Sequence, residues 1–382
     1  MNIKEISYAM FALNYKIGSI LPVRKNFVFS IMTHDSSESG NIRTLTDYMD
    51  KNGSYKFYYM VKEERRAFFH LIFVLPFVMC RADIILMDNA FMPMSFFKVR
   101  KETKVLQLWH GTGSIKKFGQ DSNTGRVKEL EKRLNSNIDY LFVNSDSLTE
   151  EYASAFGIDK KKVYTTGLPR TDWLLGFIND DKIKKIQETI KEKISKLKNI
   201  ILKNKNIILY APTFRDDETD NPKLHIDISK LIRELDENTI IFLRLHPFVS
   251  RAFRDDNLCE RVVNVSDYSD LNELMAVSDG LITDYSSLIF DYCVLNRPMY
   301  FFADDIVEFG LNGRGFYLDY SNELPGLLPD SETALGKVIA KDLLGKENEV
   351  FKLKRKEFVN KYYKWLDGNS AKRVYETIIK QI

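Results

Sequence analysis

The chain has 382 residues, 44% of them apolar and 13% aromatic, with 56 Lys and Arg against 53 Asp and Glu for a net charge of +3. That length exceeds what one hydrophobic core usually holds and predicts two domains, while the balanced charge excludes a surface built to coat nucleic acid. Cys80, Cys259 and Cys293 stand far apart and outside any CxxC or Cys/His spacing, which excludes a disulfide framework and a structural zinc site and fits a reducing cytoplasm. The start, MNIKEISYAM, lacks the charged n-region and apolar core of a secretory signal, and the most apolar run, 67–80, contains His70 and Pro76. That run is also shorter than the ~20 residues of a membrane span.

In chain order, Ile3, Ile6, Met10, Leu13, Ile17 and Ile20 form one stripe of an amphipathic helix within 1–25, with Lys4, Lys16, Arg24 and Lys25 as basic groups. Such a helix either meets anionic lipid headgroups or packs on its own domain. β-branched and aromatic runs then recur between helical patterns: FVFSIM (27–32), FYYMV (57–61), DIILM (83–87), VLQLW (105–109) and YLFVN (140–144). After a lysine-rich amphipathic segment marked by Ile183, Ile186, Ile190, Ile194, Leu197 and Ile201 comes a second series. It comprises IILYA (207–211), IIFLRL (240–245), VVNV (262–265), GLIT (280–283) and MYFF (299–302). The alternation predicts an α/β protein of two Rossmann-like domains, 1–178 and 179–382, with the last helix packing back on the first. No internal repeat or low-complexity tract is evident.

Four polar clusters fall where strands end, the usual place for ligands in an open α/β sheet. Trp109, His110, Gly111, Thr112 and Gly113 place a histidine beside glycines that admit a substrate close to the backbone. In the segment APTFRD, Thr213 and Arg215 could hold a phosphate. RLHP puts His246 at a strand end that Pro247 stops. In TDYSS, Asp284 or Ser286 can cap the following helix, while Ser286 and Ser287 at its N-terminus can cradle a diphosphate. Neither a GxSxG elbow nor a GxxxxGK[ST] loop occurs.

Taken in order, WHGTG (109–113), GLPRTDWL (167–174), LYAPTFRDD (209–217), RLHP (244–247), the segment 265–302 and RGFYLDY (314–320) resemble the CDP-glycerol glycerophosphotransferase family of teichoic acid primases, polymerases and capsule-building relatives. The resemblance covers about the last three quarters of the chain. It implies a GT-B architecture, two Rossmann-like domains with a cleft between them, the acceptor mostly on the first and the CDP donor mostly on the second. By the same resemblance His110 is the general base, His246 contacts the donor phosphates, and Ser286 and Ser287 hold the diphosphate, with Thr213, Asp284 and Arg215 beside them. Gly111, Thr112 and Arg170 fall on the acceptor side. Where family members commonly carry proline after HGT, this chain has Gly113.

The implied reaction is attack by an acceptor hydroxyl on the phosphorus attached to glycerol, with CMP leaving. The implied partners are CDP-glycerol or CDP-ribitol, a polyprenyl-diphosphate-linked saccharide or polymer, and the membrane surface at the cytoplasmic face of the bacterial plasma membrane, but no nucleic acid. No cofactor is expected beyond a loosely bound magnesium, and no metal-ligand cluster stands out. Competing readings are a CMP-sialic-acid-dependent sialyltransferase, a sugar-nucleotide 2-epimerase of the same fold, and a catalytically silent subunit of a synthesis complex.

Overall fold

The computed structural model describes residues 3–61, 67–177, 182–213, 215, 222–246, 249–254, 258–303, 305–306 and 315–379. Two units emerge from its contacts: Met1–Gly113 with Lys117–Trp173 and Tyr362–Ile382, and Ser114–Lys116 with Leu174–Lys361. The boundary read from sequence, 178/179, lies outside the described residues.

The first unit holds β1 (Phe27–Met32), β2 (Lys56–Val61), β3 (Ile84–Met87), β4 (Lys104–Gln107), β5 (Tyr140–Val143) and β6 (Val163–Thr165). All pair in parallel in the order β2-β1-β3-β4-β5-β6. Parallel strands need crossovers that cover both sheet faces, which is why β1 is apolar at every position but Ser30 and is buried throughout. Strand β6, only three half-buried residues, lacks the length to register as a strand in sequence. One side of the sheet is filled by Val28, Ile84, Leu86, Leu106 and Phe142, packed against Leu45 and Met49 of the helix Asn41–Asn52 and Val374 and Ile378 of the helix Ser370–Ile379.

The second unit holds β7 (Asn206–Ala211), β8 (Thr239–Leu243), β9 (Val262–Asn264), β10 (Gly280–Thr283) and β11 (Met299–Phe301), again parallel, in the order β11-β10-β7-β8-β9. In both sheets the chain builds outward from a central strand, returns, and continues on the other side. The reversal lies between β1 and β3 in one sheet and between β7 and β10 in the other.

An aspartate before a strand ties it to its neighbour in three places. Asp83 accepts the Asn26 N–H at 2.8 Å, Asp139 that of Val105 at 2.9 Å, and Asp279 that of Ile207 at 2.8 Å. Each supplies an acceptor to an amide just where the ladder begins.

The helix Ile3–Gly18 turns an aromatic face to its own unit. Phe11 and Tyr15 are buried and pack on Phe91 and Phe97, and Tyr8 meets Phe96 edge-on. The aliphatic stripe read from sequence lies elsewhere on the helix: Ile3, Ile6, Leu13 and Ile17 are exposed, as is Ile20 beyond it. Aromatic rings won the core contact because they bury more area per side chain. In the lysine-rich helix Lys182–Lys198 the core takes Ile190 and Ile194, while Ile186 and Leu197 stay outside. Among the described residues no helix is long and apolar enough to cross a membrane.

The two faces of the first helix should differ sharply on truncation. Phe11→Ala should cost about 3–5 kcal/mol of stability and Leu13→Ala less than about 0.5 kcal/mol, both read from urea melts of the full chain.

Candidate active site

A reversal of strand order leaves the loops after two adjacent strands diverging, so that a crevice opens at the strands' carboxyl ends. In each unit the residue directly after the returning strand is a buried aspartate, Asp88 after β3 and Asp284 after β10. Each carboxylate clamps the loop after the central strand. Asp88 accepts N–H bonds from Thr33 (3.0 Å), His34 (3.1 Å) and Asp35 (2.9 Å). Asp284 accepts the Thr213 N–H at 2.8 Å and that of Tyr285 at 2.6 Å. The six-residue recurrence DIILMD (83–88) and DGLITD (279–284) encodes the device, too short to stand out as a repeat.

In the first unit, Trp109 takes a left-handed backbone, φ 55°, and its N–H returns to Gln107 Oε1 at 2.9 Å. This turn delivers His110 to the sheet edge, with the Trp109 carbonyl held by Asn41 Nδ2 at 3.0 Å. Nδ1 of the half-buried His110 lies 2.9 Å from the main-chain oxygen of Asp88. A carbonyl oxygen only accepts, so Nδ1 carries the proton and Nε2 the lone pair. The ring is stacked with His34, centroids 3.7 Å apart at 18°, and with Trp109, 4.0 Å at 30°. Two rings so close and so nearly parallel to a third must lie on opposite faces of it. Burial pushes the His110 pKa from 6.5 down to about 4, against the upward pull of the Asp88 hydrogen bond, and Arg170 depresses it further. Burial pushes Asp88 up to about 7 despite its three backbone donors.

Arg170 is 4% exposed, and its guanidinium bonds to the main chain. Its Nη1 donates to the His110 carbonyl at 2.9 Å and stands 4.0 Å from Asp35, while its own N–H donates to Asn41 Oδ1 at 3.0 Å. It therefore supports the main chain of the histidine turn. The Gly111 carbonyl accepts the Tyr152 hydroxyl at 3.0 Å, and Thr112 is buried with no hydrogen-bond partner for its Oγ1 among the described residues.

In the second unit Arg215 differs most from the sequence expectation. Its bidentate partner is a carboxylate: Nε donates to Asp305 Oδ2 at 2.7 Å and Nη2 to Oδ1 at 3.0 Å. Nη1 donates to Asp284 Oδ2 at 3.0 Å and to the Thr213 carbonyl at 2.6 Å. With the guanidinium buried and so engaged, a bidentate grip on phosphate would require displacing Asp305. Burial alone would raise the Asp305 carboxyl, yet bonds from Arg215 and Tyr285 hold it below its ordinary range. Tyr320 closes the group with a hydroxyl bond to the Asp284 carbonyl at 3.1 Å.

Asp284 is thus spent on the loop clamp and the arginine, and helix capping falls to Ser286, whose Oγ accepts the Leu288 N–H at 3.2 Å. Ser287 is half-buried with no capping bond, and the helix it precedes, Leu288–Tyr292, is short. The Thr213 Oγ1 is enclosed and has no partner among the described residues. His246, half-buried, follows β8 and starts a turn, its carbonyl accepting the N–H groups of Val249 and Ser250 at 3.0 Å each. Phe214, Asp216, Asp217, Pro247 and Arg314 of the sequence motifs lie outside the described residues. Among the described residues no group of three or more His, Cys, Asp or Glu could hold a metal ion. His34, Asp88 and Asp305 are the members that sequence reasoning missed.

Two consequences are measurable. A histidine unfolded near 6.5 and folded near 4 leaves the unfolded chain holding the additional proton between those values. The His110 contribution to stability should therefore be lost as pH drops from about 6.5 towards 4, against a gain from Asp88, whose raised carboxyl takes up a proton in the folded chain over the same range. His110→Asn should remove that loss and so gain stability relative to the wild type as pH falls, read from pH-dependent urea melts. Asp284→Ala, which leaves Arg215 paired with Asp305 but removes the acceptor of its Nη1 and of the Thr213 N–H, should cost about 1–3 kcal/mol by the same melts.

The family model for CDP-glycerol:poly(glycerophosphate) glycerophosphotransferase matches residues 13–380. The teichoic acid glycerol-phosphate transferase of Staphylococcus aureus (strain NCTC 8325 / PS 47) is 33% identical over 99% of this chain and 98% of that one. The teichoic acid ribitol-phosphate primase of Bacillus spizizenii (strain ATCC 23059 / NRRL B-14472 / W23) is 28% identical over 98% and 96%. Among solved structures, a variant of the wall teichoic acid polymerase TagF superposes with a TM-score of 0.82 at 26% identity, covering 99% of this chain and 96% of that one. The sialyltransferase and epimerase readings give way to these matches, and with two parallel Rossmann-like sheets the chain is a GT-B transferase that belongs to the CDP-glycerol glycerophosphotransferase family.

Proposed function

We propose that this transferase moves glycerol phosphate from CDP-glycerol to a hydroxyl of a lipid-linked polymer acceptor in teichoic acid synthesis, with His110 as general base. The observation that carries the reading is the neutral His110 ring, its Nδ1 proton committed to Asp88 and its Nε2 lone pair left for an incoming hydroxyl. The acceptor oxygen attacks the phosphorus that bears glycerol, the bond to the bridging oxygen breaks, CMP leaves, and the acceptor proton passes to Nε2. An imidazole titrating near 4 is a weak base, so it takes that proton late, once the oxygen is bonding to phosphorus and has become acidic.

In the second unit the loops after β7, β8 and β10 carry Thr213, His246 and Ser287, whose donors would meet the diphosphate. Arg215 would act at one remove, holding Asp284 and hence the β7 loop. These hydrogen-bond donors would stabilise the diphosphate charge without a resident metal, so turnover should persist in EDTA. Glycerol is favoured over ribitol as the donor alcohol because the glycerol-phosphate transferase is the more identical of the two relatives.

The exposed stripe Ile3, Ile6, Leu13 and Ile17 supports peripheral attachment at the cytoplasmic membrane face. Beside it, on the helix Phe68–Phe73, Phe68, Phe69 and Phe73 are also exposed, and Asn14 Nδ2 bonds the Ile72 carbonyl at 2.8 Å between the two helices. Exposed apolar residues on two neighbouring helices, with Lys4 and Lys16 exposed on the first, suit an anionic lipid interface.

Purified protein given a lipid-linked acceptor should release CMP from CDP-glycerol and much less from CDP-ribitol. His110→Ala should lower kcat by about 10²–10⁴-fold, and His246→Ala should also impair release; full activity in His110→Ala would overturn the base assignment. Vesicles rich in phosphatidylglycerol should sediment the wild type and not Leu13→Asp/Ile17→Asp. Equal sedimentation of both, or of neither, would sink the membrane reading.

A further inference from the structure

We infer that His34 is a positioning residue for the transfer: held flat against His110 by a loop that Asp88 clamps, it fixes the plane of the general base and the direction of its Nε2 lone pair. The inference rests on the reading of His110 as base.

A histidine ring has a broad terminal torsion, and one hydrogen bond at Nδ1 leaves it free to rock about that bond. Flat contacts on both faces remove the rocking. Trp109 supplies one face from within the histidine turn itself. The other face is covered by His34, from a different strand's loop 76 positions earlier in the chain.

His34 is itself exposed, so no core packing demands its place. Its position is set through the main chain, where the Thr33, His34 and Asp35 N–H groups all converge on the Asp88 carboxylate. Asp88 thereby performs two tasks with two parts of one residue. Its carbonyl fixes the His110 tautomer, and its carboxylate fixes the loop that covers the His110 ring. Besides His34, the charged groups around His110 are Asp88, Asp35 and Arg170, and Arg170 stands on the His110 carbonyl rather than on its ring. Nothing but His34 and Trp109 is stacked on that ring among the described residues. Reaction rates are sensitive to this kind of freedom, since a misplacement of about 1 Å can cost about a hundredfold.

The test compares His34→Ala and His34→Phe in the full chain, with CMP release from CDP-glycerol and ¹⁵N NMR titration of His110. Because His34 is exposed, both variants should melt like the wild type. His34→Ala should lower kcat about tenfold or more with little change in the KM for CDP-glycerol, and should move the His110 pKa back up as the ring gains water. His34→Phe, a flat ring without a titratable nitrogen, should recover most of the loss. Wild-type kcat in His34→Ala would overturn the inference. So would a Phe variant no better than Ala, which would make His34 a second acid–base group. If His110→Ala itself retains full turnover, the base assignment fails instead. The titration then decides for His34: an unchanged His110 pKa in His34→Ala would overturn its positioning role.

Discussion

Everything chemical in this chain depends on the constraint that parallel strands impose. Because each strand must be reached by a crossover over one sheet face, every strand enters from the same edge and leaves at the other, and all the connecting loops that follow strands collect there. Reversing the strand order once then separates two of those loops and leaves polar main-chain groups facing open space. Both sheets reverse in this way, between β1 and β3 and between β7 and β10. The loops at these two reversals hold Asp88 and Asp284, and the histidine turn follows the next strand along.

The two aspartates show how one backbone solution can be put to different electrostatic uses. Asp284 has Arg215 against it, and Asp305 with its tyrosine partner completes a hydrogen-bonded group of two carboxylates on one buried guanidinium. Breaking such a group is costly because the remaining charge stays buried. Among the described residues Asp88 has only backbone donors, so burial dominates and its carboxyl is pushed up. Its own carbonyl meanwhile orients His110. Rigidity in one unit and a tuned imidazole in the other thus grow from the same position after the same kind of strand.

The histidine turn gains its properties from its neighbours more than from itself. A lone HGT segment permits either imidazole tautomer and any titration near the ordinary value. Here the Asp88 carbonyl selects the Nδ1-protonated form, and desolvation between two flat rings keeps the ring neutral far into the acid range. Arg170, which the motif GLPRTDWL suggested as a substrate contact, donates to the turn's main chain.

Residue order by itself determined the alternation of strands and helices, because pleat and helix periodicity and the β-branched runs act within a few neighbours. Ten of the eleven strands among the described residues were legible this way, and His110, His246 and the TDYSS turn were legible as polar residues where apolar runs stop. Only the tertiary structure decided which face of the first helix is buried, that Arg215 meets Asp305 across 90 positions, and that Asp88 reaches the loop of His34 across 54. The physical reason is range. Periodicity and turn chemistry are written in adjacent residues, whereas the partner of a buried charge or a stacked ring is chosen by which strands the sheet order makes neighbours.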